Sequence, residues 1–75
     1  MSLEKIIAET FTLPEASVAD PLALSDIPTW DSLSHMMLIV RLEQDYAIQF
    51  SGDEIADLRS VGDIRATLQR HGVQP

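Results

Sequence analysis

The chain has 75 residues, 5 Lys plus Arg against 12 Asp plus Glu, and a formal net charge of −7. A chain of that length is one small domain, 1–75, that buries only about 60% of the surface its unfolded form exposes, so a deep enclosed active site is not expected. It has no cysteine, which excludes a disulfide framework, a Cys-based zinc site and a thiol nucleophile, and two histidines are too few for a metal cluster.

The same composition bounds the partners and the compartment. Phosphate binding needs clustered Lys and Arg, so nucleic acid is not an expected partner. The longest fully apolar run is Met36 to Val40, far short of the roughly 20 residues of a membrane span. No basic segment followed by an apolar stretch opens the chain, so no secretory signal and a cytoplasmic location are expected. The acidity favours a soluble monomer that meets basic surfaces.

In chain order, Leu3, Ile6, Ile7 and Thr10 or Phe11 recur at helical spacing from Ser2 to about Phe11, with Ser2 as cap, until Leu13-Pro14 ends the helix. Residues 14–30 hold Pro14, Pro21 and Pro28. Val18, Leu22, Leu24 and Ile27 interrupt this long connection, so it should pack on the core, with a short helical turn after Pro14. Loops of this length in compact domains are often functional.

A second helix should run from Asp31-Ser32 to Asp45 or Tyr46, with either Asp31 or Ser32 as cap. Ser51-Gly52-Asp53-Glu54 reads as a capping box that opens a short third helix with Ile55 and Leu58. Ser60-Val61-Gly62-Asp63 reads as another, opening a fourth helix with Val61, Ile64 and Leu68 on one face and its end near Arg70-His71-Gly72. The only strand-like pieces are short, such as Tyr46 to Phe50. The expected fold is all-α: a small antiparallel bundle of three main helices plus one short one, with a long loop between the first two.

The second helix carries two apolar stripes. At about 100° per residue, Leu33, Met36, Met37 and Val40 fall on one side and Leu38, Ile39, Leu42 and Tyr46 on the other, with Ser34, Arg41 and Glu43 between. So short a chain has too little material to cover both, and one stripe should be exposed as an interaction surface. A Met-rich face is more often core than contact surface, so the residues alone favour the core reading of that stripe, which the long loop could also cover.

Ser32 stands where the loop meets this helix. Asp and Ser at a helix start are usually caps, but a helix N-terminus also suits a phosphate. At this point the whole chain resembles the acyl carrier protein family, including the peptidyl carriers. The resemblance rests on length, acidity, helix order and Asp31-Ser32-Leu33 at that junction, followed by Leu38, Leu42, Glu43 and Tyr46. It implies that Ser32 receives 4′-phosphopantetheine from coenzyme A through a separate phosphopantetheinyl transferase. The thiol of that arm would carry acyl groups as thioesters, so the sulfur comes from the cofactor.

On this resemblance the chain is a carrier, not an enzyme, loaded by a ligase or acyltransferase and read by downstream synthases. The resemblance also reverses the preference for burial, showing the Leu33, Met36, Met37 and Val40 stripe to partners. Arg41 and Glu43 on the second helix and Asp53, Glu54 and Asp57 on the third would join it, with Asp26 and Asp31 adding charge that steers docking.

Two departures point away from the housekeeping fatty-acid carrier and toward a specialised polyketide, peptide or small-acyl pathway. The loop before the serine lacks the family's usual glycine and reads Asp26-Ile27-Pro28-Thr29-Trp30, with Trp30 expected to pack as a staple on the second helix. Met37 stands where an acidic residue is common in the family, and His35, before Met36, is expected to be packed or half-exposed. The competing reading is a non-catalytic helical adaptor that grips a partner helix with the same stripe.

Overall fold

The computed structural model describes residues 2–75, and Met1 lies outside them. Four helices surround one core: α1 (Leu3–Phe11), α2 (Ser32–Tyr46), α3 (Gly52–Asp57) and α4 (Val61–Arg70), with two 3₁₀ turns, Glu15–Ser17 and Leu24–Asp26, in the long loop. The α1 cap is Ser2, whose hydroxyl accepts from the Lys5 N–H at 3.2 Å. Leu3, Ile6, Ile7, Ala8 and Phe11 are buried on one face. Thr12 then turns left-handed at φ 57° and breaks the helix two residues before Pro14.

Both expected capping boxes form. The Ser51 hydroxyl accepts from the Glu54 N–H while the Glu54 carboxylate accepts from the Ser51 N–H, and Ser60 and Asp63 repeat the exchange. The strand-like piece at 46–50 is not a strand. Tyr46 closes α2, Ala47 turns left-handed at φ 54°, and the Phe50 N–H donates to the Glu43 carboxylate at 2.9 Å instead of to a ladder. The single extended pairing among the described residues is an isolated bridge between Ala23 and Ser60.

That bridge shows how the long loop becomes structure. Leu24 N–H donates to the Arg59 carbonyl at 2.9 Å. In return the first two amides of α4, Val61 and Gly62, donate to the carbonyls of Leu22 at 3.0 Å and Asp20 at 2.9 Å. Helix amides that would otherwise lack partners are satisfied by the loop. The approach is close, because a Cβ on Gly62 would sit 3.2 Å from the Asp20 carbonyl oxygen. Of the four apolar residues expected to pack the loop on the core, Val18, Leu24 and Ile27 are buried and Leu22 is partly buried against it. Arg65 on α4 adds ion pairs to Glu4 of α1 at 2.6 Å and Asp20 of the loop at 3.0 Å.

The two stripes of α2 separate cleanly. Leu38, Ile39 and Leu42 are at most 1% exposed, whereas Leu33 is 71% and Met37 58% exposed. Truncating a buried leucine leaves a cavity and costs about 2–5 kcal/mol, while a surface change away from such features stays within about 0.5 kcal/mol. Leu38→Ala is therefore expected to lower the urea midpoint strongly and Met37→Ala hardly at all.

The Arg65 guanidinium, hydrogen-bonded to Glu4, holds that carboxyl below the ordinary glutamate value of 4.5. A lowered folded pKa adds stability that is complete above the unfolded pKa and is lost as pH falls through the folded one. Glu4→Gln should cost about 0.2–1 kcal/mol near neutral pH. It should also narrow the difference between urea midpoints measured at about pH 7 and about pH 3.

Candidate functional site

The site begins at the entry to α2. Asp31 is the N-cap: its carboxylate accepts from the Ser34 N–H at 2.7 Å, and the Asp31 N–H donates to the Ser34 hydroxyl at 2.8 Å. These bonds from Ser34 also hold the Asp31 carboxyl below its ordinary value. Of the two possible caps, the pair Asp31/Ser34 does the capping, and Ser32 becomes the first helical residue. Its hydroxyl is left exposed, and no side chain among the described residues takes it up.

The loop behind it is tied down. The Thr29 hydroxyl donates to the Phe11 carbonyl at 2.9 Å, and Trp30 N–H donates to the Ile27 carbonyl at 3.0 Å. Trp30 is half-buried and packs against the core. Its indole Nε1–H also donates to His35 Nδ1 at 3.3 Å, in an edge-on ring contact. His35 is thus packed and Trp30 staples onto α2, both as expected, with Trp30 just before the cap meeting His35 in the first turn.

Leu33, Met36, Met37 and Val40 line one side of a groove of about 640 Å³, with Glu9 and Thr10 of α1 opposite and Arg41 and Gln44 at its end. Arg41 pairs with Glu9 at 3.0 Å and Asp45 at 3.1 Å, and both bonds strengthen its positive charge. The groove rim is therefore an internal ion-pair cluster that ties α1 to α2.

The remaining expected contact residues divide. Asp53 and Asp57 are exposed on α3 and do not line this groove. Glu43 is committed to the Phe50 amide. Glu54 is engaged in the α3 capping box, and its carboxylate lies 3.0 Å from His71 Nε2. The Ser51 backbone N–H, followed by His71, holds Glu54 below the ordinary glutamate value.

Sequence reasoning missed Glu9, Thr10 and Gln44 as walls of the groove and missed the Trp30–His35 bond. Glu9 and Arg41 are 32 positions apart in the chain, and no local pattern announces such a pair. Among the described residues no group of three or more His, Cys, Asp or Glu could hold a metal ion, and no helix is long and apolar enough to cross a membrane.

One accessible hydroxyl stands at the N-terminus of a 15-residue helix, where unpaired amides and the helix dipole favour a phosphate ester, and an open apolar groove begins at the next residue. An Asp31→Ala variant should lower the thermal midpoint as a lost N-cap. Ser32→Ala, by contrast, should leave the thermal midpoint unchanged by circular dichroism.

Comparison with known proteins bears on this site. A family model described as the phosphopantetheine attachment site matches residues 2–68. An acyl carrier protein of Chlamydia trachomatis is 34% identical, over 95% of this chain and 97% of its own. One of Kineococcus radiotolerans is 31% identical, over 91% and 84% respectively. The meromycolate extension acyl carrier protein of Mycolicibacterium aurum is also 31% identical, over 91% of this chain and 70% of its own. Among solved structures, a Mycobacterium tuberculosis protein assigned as an acyl carrier superposes with a TM-score of 0.80 at 22% identity, covering 93% of this chain and 99% of that one. That last likeness shows a shared fold.

Proposed function

The chain belongs to the acyl carrier protein family, and from that premise we propose that Ser32 is the residue that bears its 4′-phosphopantetheine arm. Members of the family are carriers and not catalysts, and the terminal thiol of the arm holds acyl groups as thioesters. The observation that carries the assignment is the exposed Ser32 hydroxyl, released from capping by Asp31 and Ser34. With no cysteine in the chain, the reactive sulfur belongs to the cofactor.

The stripe of Leu33, Met36, Met37 and Val40 is the docking face for the modifying transferase, the loading ligase or acyltransferase and the downstream synthases. Asp31, Asp53 and Asp57 supply charge that steers approach. Because Arg41 is held between Glu9 and Asp45 and Met37 is apolar, this face works mainly through shape and apolar contact. That chemistry favours a specialised pathway over central fatty-acid synthesis, and the similarity to a carrier named for meromycolate extension supports the same direction. Residues 1–75 form one carrier domain, monomeric and cytoplasmic.

Incubation with coenzyme A and a broad-specificity phosphopantetheinyl transferase is expected to raise the intact mass by one phosphopantetheine, and Ser32→Ala to abolish the gain. A folded wild-type chain that gains nothing would refute the assignment. Met37→Glu is expected to raise the KM of the transferase or a synthase for this carrier while changing stability by no more than about 0.5 kcal/mol. A large loss of stability with unchanged kinetics would place the stripe in the core instead.

A further inference from the structure

Two of the chain's three methionines, Met36 and Met37, stand side by side on the open side of α2. They are 45% and 58% exposed and line the groove against α1, between Leu33 and Val40. A small reagent therefore reaches both without any opening of the fold. Methionine is ordinarily a gap-filler of cores. Among the described residues, however, the apolar core is Leu, Ile, Val, Phe and Ala, with no methionine in it. Both described thioethers thus lie on the face proposed for docking, and neither supports the fold.

Hydrogen peroxide converts a methionine thioether to the sulfoxide. One peroxide oxygen transfers to sulfur as the O–O bond breaks, and the other leaves as water. Sulfur loses two electrons and the peroxide gains them. A thiol-dependent methionine sulfoxide reductase reverses the change: the oxygen leaves as water, and two thiols are oxidised to a disulfide. The oxidised side chain is polar, and its S–O dipole needs hydrogen-bond donors that water gives and an apolar contact does not. In a core the same change loosens packing. On this face it leaves Leu38, Ile39 and Leu42 buried as before and makes apolar contact costly.

We propose that Met36 and Met37 form a reversible oxidation site for hydrogen peroxide, which turns down docking on α2 while the chain stays folded. The proposal rests on the stripe being the docking face and adds the regulation of that face. Leu33 and Val40 carry no sulfur and keep a smaller apolar contact, so oxidation weakens docking without abolishing it.

The unmodified chain is the starting point, since it has no cysteine to compete for peroxide. Peptide mass mapping after graded peroxide should show one oxygen on each of Met36 and Met37, at rates within about tenfold of free methionine. The thermal midpoint by circular dichroism should fall by less than about 5 °C. The oxidised chain is then offered to a phosphopantetheinyl transferase with coenzyme A. Its KM should rise about fivefold or more, and a methionine sulfoxide reductase with dithiothreitol should bring it back. The double variant Met36→Leu, Met37→Leu keeps Met1, and peroxide should leave the KM of that variant where it was before treatment. Oxidation slower than the stated range, or a large fall in the midpoint, overturns the site, because the methionines would then be packed. An unchanged KM for the oxidised wild type, or a peroxide response that survives in the double variant, overturns the switch and leaves the assignment of Ser32 untouched. Failure of the untreated chain to gain phosphopantetheine overturns the carrier assignment and the switch together, but not the oxidation rates.

Discussion

One constraint organises this molecule: α2 is apolar on two opposite sides, and the chain has material to cover only one. The side with Leu38, Ile39 and Leu42 wins because it meets α1, α4 and the packed loop in a single core. Burying each such side chain is worth about 1.5–3 kcal/mol. The opposite side stays open, with Leu33, Met36, Met37 and Val40 between 45% and 71% exposed. Arg41 marks the border between the two sides and is pinned there by Glu9 and Asp45. An exposed apolar stripe reduces solubility, and a net charge of −7 offsets that tendency.

The loop before α2 positions the start of that helix. It is long and proline-rich, yet it is an integral part of the fold. Its carbonyls satisfy the first amides of α4, its buried side chains join the core, and Thr29 ties its end to α1. This fixes where α2 starts and leaves the Ser32 hydroxyl facing outward. Pro28, Thr29 and Trp30 give a stiff approach to α2, and Trp30 uses its indole to reach His35.

Much of this was legible in the sequence because the relevant signals are local. Helical spacing places Leu3, Ile6 and Ile7 on one buried face, and Ser51/Glu54 and Ser60/Asp63 announce two helix starts by side chains three residues apart. The double stripe on α2 is readable from the period alone, although which stripe is buried is not, because that depends on the rest of the fold. The cap was ambiguous for a related reason: Asp31 and Ser32 are both good caps, and the choice falls to Asp31 through its exchange with Ser34, a residue with no standing as a capping partner in the pattern. Tyr46 to Phe50 looked strand-like from composition, and a left-handed Ala47 with a Glu43 side-chain bond to Phe50 sets it as a turn instead. Contacts between distant residues, such as Glu9 with Arg41 and His35 with Ile55, leave no local trace.

The central claim is that Ser32, freed from capping and placed beside the open stripe, is where sulfur chemistry enters a chain that has no sulfur nucleophile of its own. Its most direct test is fragmentation mass spectrometry of the chain purified from its native source, mapping any added mass to a residue. The account predicts phosphopantetheine, with or without an acyl group on its thiol, on Ser32 and nowhere else. An arm mapped to any other residue, or a folded chain whose Ser32 stays unmodified even after supply of coenzyme A and transferase, would contradict it.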